Sequence, residues 1–173
     1  KRENYILYTG RLVFHKNPFG FVDIINKTGL KGKMAIYTDA GVEYKYYKEI
    51  LNNTNKNIEV FVNLPKEKLA ELMQRAKFTV LPYLYQEPFG TASADTIMCG
   101  TPLITFPYGN LRSFTNLLPK TLDEMIQMIK MNDTCYQQTL KDTLKRSNEL
   151  RELHEIHNAI KKWDELYDKL GNK

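Results

Sequence analysis

The chain has no hydrophobic run approaching the roughly 20 residues that span a bilayer, which excludes a membrane-crossing helix. It is poor in cysteine. Cys99 and Cys135 are the only two, they lack metal-ligand spacing, and a chain of 173 residues needs no disulfide staple, so a reducing cytoplasm is the simpler setting. Both common phosphate signatures, G-x-x-x-x-G-K-S/T and G-x-G-x-x-G, are missing, which makes a plain dinucleotide oxidoreductase the least expected function. The opening "KRENYILYTGRL" lacks the apolar stretch and cleavage site of a secretory signal and reads as a first strand, with a processed signal further upstream left open.

What is present fits one domain, too short for two ordinary ones, with 42% apolar and 26% charged residues. The formal charge of +5 favours an anionic ligand or the inner face of an anionic membrane, although a solvated basic face is the more common explanation.

Strand and helix signals alternate. "YILYTG" reads as a buried strand ended by Gly10, and "NPFGFVDIINKTG" as a helix capped by Asn17, opened by Pro18 and stopped by Gly29. Strand 33–38 precedes a helix carrying Val42, Tyr46 and Ile50; strand 57–64 precedes a helix opened by Pro65; strands 78–82 and 102–106 flank a helix from about Gly90 to Cys99. This order predicts an α/β fold: a Rossmann-like parallel sheet with helices on both faces. A helical tail over about 121–170 follows, begun by the Thr121 and Glu124 capping pattern. Leu140, Leu144, Leu150, Leu153, Ile156, Ile160, Trp163, Leu166 and Tyr167 recur there at helical spacing, as packing residues would.

Ligands of such sheets bind in the loops beyond the carboxyl ends of the strands. In the first loop, "TGRLVFHKNP", Gly10 lets the chain turn, and Arg11 and Lys16 come just before a helix N-terminus, a setting that suits phosphate; two surface basics are the plainer alternative. His15 in the same loop is more simply a solvated histidine, and His154 and His157 in the tail are structural. The fourth loop, "LYQEPFGTASADTIMCGTP", sets Glu87 and Asp95 eight positions apart with small residues between. Those small side chains would leave backbone amides open to an oxygen-rich ligand, and the two carboxylates could hold hydroxyls; close packing on the sheet explains them equally well.

"EPFGTASADTIMCGTPLI" resembles the signature of retaining nucleotide-sugar glycosyltransferases of the GT-B fold, above all the large family 4, and "YTGRLVFHKN" resembles that family's Gly-Arg loop with a lysine five residues on. The likeness extends over nearly the whole chain, through "FVNLPKEKLAELMQRAKFTVLP" to "WDELY" in the tail. It implies that Arg11 and Lys16 bind the diphosphate and stabilise the leaving group, so that no metal ion or cofactor is needed. It implies further that Glu87 holds the donor sugar, that backbone around Gly10, Phe89, Gly90 and Thr91 contacts sugar or phosphate, that Asp95 takes the ribose, and that Val62, Asn63 and Leu64 lie against the base. The donor would be a UDP-, GDP- or ADP-sugar.

This chain departs from the family pattern at named positions. Asp95 stands where the family has Glu, Asn17-Pro18 follow Lys16 in place of Gly, "YTDAG" replaces a Gly-rich turn so that Tyr37 and Thr38 narrow the pocket, and "FPYGNLRSF" lacks an acid. The many Lys, Asn, Ile and Tyr fit a divergent member from a virus or an AT-rich genome. The resemblance covers only the carboxyl-terminal, donor-binding half of a GT-B enzyme, with the acceptor-binding amino-terminal domain outside this chain. The isolated half is expected to bind donor and transfer poorly. Two other functions stand beside it: a viral or phage DNA glycosyltransferase, with nucleic acid an unlikely partner of this half, and a non-catalytic nucleotide-sugar-binding module.

Overall fold

A computed structural model describes residues 1–38 and 44–171. Five strands, β1 (Ile6–Arg11), β2 (Gly32–Tyr37), β3 (Ile58–Val62), β4 (Phe78–Leu81) and β5 (Leu103–Thr105), form one parallel sheet in the order β3-β2-β1-β4-β5. The intervening helices are α1 (Pro18–Thr28), α2 (Tyr44–Asn53), α3 (Lys66–Arg75) and α4 (Thr91–Met98); α5 (Leu122–Thr134), α6 (Tyr136–His154) and α7 (Ile156–Gly171) follow β5. The order runs outward one way through β2 and β3 and the other way through β4 and β5. The crevice at the ends of β1 and β4 is therefore the topological switch point where such sheets bind ligands.

Period-two alternation along the strands supplies both faces. Ile6, Tyr8, Met34 and Ile36 join Phe21, Ile24, Ile25, Ile50, Met125 and Ile129 in the larger cluster. Tyr5, Leu7 and Ala35 pack with Met73 and Ala76 in the smaller one. The expected helix signals act as read. The Asn17 side chain accepts from the Gly20 amide, Gly29 ends α1 at φ 68°, and the Thr121 side chain accepts from the Glu124 amide. Arg2 fastens the first residues to the sheet's far side, donating to the carbonyls of Gln74, Ala76 and Gly100 and to Thr101 Oγ1.

Two expectations are corrected. Gly10 is not a turn: it lies within β1, paired with Ile36, and its lack of a side chain serves space, because a Cβ there would come within 2.7 Å of the Tyr83 hydroxyl. The tail leucines are not all packing residues. Leu150 is buried, but Leu144, Leu153, Ile160, Trp163, Leu166 and Tyr167 are 44–64% exposed. The buried face of α6 is instead Thr139, Thr143, Ser147 and Leu150, short side chains that let it close on the body of the domain, with the Thr143 hydroxyl satisfied by the Thr139 carbonyl at 2.9 Å. Among the described residues nothing covers the apolar stripe of α7. Val42 lies outside the described residues, and so do the side chains of His154, Ile156 and His157.

Candidate functional site

Arg11 ends β1 opposite Tyr37, exposed, and its guanidinium makes no hydrogen bond or ion pair among the described residues. A short 3-10 turn, Phe14–Lys16, then delivers Lys16, whose ammonium pairs with Glu87 Oε2 from the β4–α4 loop. Both side chains are largely sheltered, 11% and 15% exposed. The loops are stitched by backbone as well. The Leu84 amide donates to the His15 carbonyl at 2.8 Å, and Tyr8 Oη donates to the Lys16 carbonyl at 3.1 Å. Asn17 adopts the left-handed region at φ 50°, which asparagine tolerates better than most residues; from there its side chain caps α1 while donating to the Pro82 carbonyl at 3.0 Å. The His15 ring contacts that of Tyr85, tilted 58° with centroids 4.7 Å apart.

Glu87 is held from behind by the loop after β5. It forms a lone bridge with Gly109, and its carbonyl accepts from the Asn110 amide at 2.9 Å. Gly109 has φ 59°, and a Cβ there would meet the Glu87 amide nitrogen and carbonyl oxygen at 2.6 and 2.5 Å, so only glycine fits. Gly90, at φ 89°, opens α4 with no side-chain cap and no acid in its first turn. The Ser93 and Ala94 amides turn back to the Gly90 carbonyl, whereas those of Gly90, Thr91 and Ala92 meet no acceptor among the described residues. Phe89 is half-exposed, its ring edge-on to Phe114 and its carbonyl taken by the Asn110 side chain at 3.0 Å.

Asp95 sits one turn further along α4, partly sheltered though still reached by solvent, and Lys66 and Tyr37 are among its electrostatic neighbours. Partial burial pushes its pKa above the usual carboxylate value, and Lys66 opposes the shift. Burial, with Asp95 adding to it, likewise raises the Tyr37 phenol, which donates to the Leu64 carbonyl at 3.2 Å. Val62 ends β3, partly exposed. Asn63 follows at φ 51°, and its side chain clamps Thr38 twice, accepting from the amide at 3.0 Å and donating to the carbonyl at 3.1 Å.

The sequence-derived residues thus form two adjoining groups: Arg11, Lys16, Glu87 and the start of α4 at the switch point, and Asp95, Tyr37, Val62 and Leu64 beside it. Sequence reasoning missed Tyr83, Gly109 and Asn110. Only a glycine inside "PYGN" and a tyrosine after Pro82 hinted at them. No group of three His, Cys, Asp or Glu that could hold a metal occurs among the described residues, and no helix there is long and apolar enough to cross a membrane. A groove of about 870 Å³ lies at the opposite, amino-terminal end of β1–β3, where Lys33 is already paired with Glu59 at 3.6 Å and Glu3 at 4.0 Å.

A five-stranded parallel sheet of this order with intervening helices is a Rossmann-like domain, and its switch point carries cations, an acid and the start of a helix. The chain belongs to the family described as glycosyl transferases group 1, which matches residues 1–116 of the 173. No curated protein matches it. Among solved structures, HepE from Anabaena in complex with UDP and glucose superposes with a TM-score of 0.83 at 13% identity, over 96% of this chain and 48% of that one. A glycosyltransferase from Rickettsia africae gives 0.81 at 13% identity, over 98% and 48%. TarM from S. aureus, in a complex containing UDP, gives 0.71 at 17% identity, over 95% and 35%. The chain therefore spans about half the length, or less, of these structures, and at such identities the likeness is one of fold.

Proposed function

We propose that this chain is the donor half of a retaining, family 4-like glycosyltransferase that transfers a sugar from a nucleoside-diphosphate sugar. One observation carries the reading. Lys16 and Glu87, 71 residues apart, meet at the switch point, where α4 begins and where Arg11 ends β1 with no hydrogen bond or ion pair among the described residues. A diphosphate needs fixed positive charge and N–H donors, a sugar needs a hydroxyl acceptor, and all of these converge there.

When the bond between the anomeric carbon and the diphosphate oxygen breaks, the electron pair leaves with the nucleoside diphosphate. On this reading Arg11 and Lys16 would lie beside that growing charge and would neutralise it without a metal ion. Glu87 would hold sugar hydroxyls, the amides of Gly90 and Thr91 the phosphate or sugar, and Asp95 the ribose, with Val62, Asn63 and Leu64 against the base. The ribose side is narrowed by Tyr37, whose hydroxyl is committed to Leu64. UDP is the first nucleotide to try, because HepE and TarM were each captured with UDP. The acceptor would come from the half that this chain does not contain, in a cytoplasmic enzyme.

Calorimetric titration with UDP, GDP, ADP and their sugars tests the assignment. Arg11→Ala and Lys16→Ala should each weaken nucleotide binding by about 1.5–3 kcal/mol, the range for hydrogen bonds to charged groups. Glu87→Ala should weaken the sugar nucleotide while sparing or tightening the bare diphosphate, since it releases Lys16. Absence of nucleotide binding, or three variants that bind like wild type, would sink the reading.

A further inference from the structure

The geometry points to Tyr83 as the residue that positions the Lys16 ammonium, a role that rests on the reading above of Lys16 as a diphosphate ligand. Lys16 Nζ lies over the Tyr83 ring, 4.0 Å from its centroid, with the Tyr85 ring at 5.5 Å. A lysine ammonium over an aromatic face is attracted by the ring quadrupole, and more so when sheltered from water, as this one is.

The ring is itself fixed. Tyr83 is 1% exposed, its hydroxyl donates to the Thr9 carbonyl, and the Tyr8 ring meets it edge-on at 6.4 Å. Gly10 is the only residue type that leaves room for that hydroxyl. Burial also holds the phenol far above its usual pKa, so Tyr83 offers a π face and not an acid.

Lysine is a flexible four-carbon stem whose ordering costs side-chain rotamer entropy. Glu87 orders it through the Lys16–Glu87 ion pair. A donor that engages Glu87 through its sugar must then take the ammonium from the carboxylate onto phosphate. Tyr83 is the partner that persists through this exchange: the ring stays beneath the ammonium while the anion beside it changes, so Lys16 is not released to solvent in between.

A plain packing role is separated from this one by changing the charge of the ring face and not its shape. Y83F keeps the ring and loses the hydroxyl; pentafluorophenylalanine at the same position keeps the ring outline and strips its negative face. The fluorinated chain should bind UDP about threefold to tenfold more weakly than Y83F, a factor set by typical cation–π strengths, and the difference should vanish in a K16A background. Equal affinities, or a difference that persists in K16A, overturn the proposal. The ε-methylene proton shifts of Lys16 read the contact without any nucleotide: ring current should move them upfield in wild type and Y83F, and the shift should be lost in Y83L. Failure of wild type to bind UDP, GDP and ADP alike would strike the donor-binding reading alone; Lys16 signals at ordinary shifts in wild type would strike the role of Tyr83.

Discussion

Asp95 shows how one side chain can be tuned against the fold it belongs to. Its pKa is raised by partial burial, so folding favours its protonated form. The associated stability is present below the unfolded carboxylate pKa and is lost as pH rises through the folded one, so at neutral pH the ionised acid is a small liability. Asp95→Asn should therefore raise Tm slightly at neutral pH, with the gain over wild type shrinking as pH falls into the carboxylate range. It should also weaken binding of ribonucleotides. Thermal unfolding across pH, with calorimetry for UDP, reads both effects, and a Tm gain that does not depend on pH would contradict this account. At this scale the motifs named Arg11, Lys16 and Glu87 as candidates, and the fold brings Lys16 and Glu87 into contact. Tyr83 and Gly109 were not legible. Their parts depend on which atoms lie across the crevice, the Lys16 ammonium for one and the Glu87 backbone for the other, and no spacing along the chain encodes that.

Among the elements, the ends of β2 and β3 depend on Asn63, which joins them through two hydrogen bonds from a left-handed backbone. Alanine there loses both bonds and keeps the disfavoured φ; glycine loses the bonds and relieves the backbone. Asn63→Ala should cost about 1–2 kcal/mol and Asn63→Gly roughly 1 kcal/mol less, measured by urea unfolding. Equal losses would mean that backbone strain contributes nothing. Element type and order were legible from Pro18, Gly29, Thr121 and the alternating runs, with ends displaced by a residue or two, as at β3, which spans Ile58–Val62. The buried face of α6 was not, because Thr139, Thr143 and Ser147 carry no hydrophobic signal and bury by being small.

For the molecule as a whole, the helical periodicity of α7 was correctly seen and its burial was not. Ile160, Trp163, Tyr167 and Leu170 form one stripe, each more than half exposed. An apolar strip of this kind recruits hydrophobic dyes and promotes self-association. Replacing Ile160 and Trp163 together by Glu should lower dye binding and concentration-dependent association in sedimentation runs while leaving Tm within about 1 °C, since exposed substitutions rarely move stability by more than 0.5 kcal/mol. A large fall in Tm would mean that the stripe is buried after all. The meeting of Lys16 with Glu87 has a temporal consequence. β1 forms its register with β2 early in the sequence, but the site needs β4, the loop after it and the Gly109 turn behind Glu87, all closed onto β1 across 71 residues. Long loop closures come late because their entropy is recovered only once distant contacts form. Affinity for the donor should thus be among the last properties a refolding chain acquires, and bound nucleotide a reporter that the whole sheet has closed.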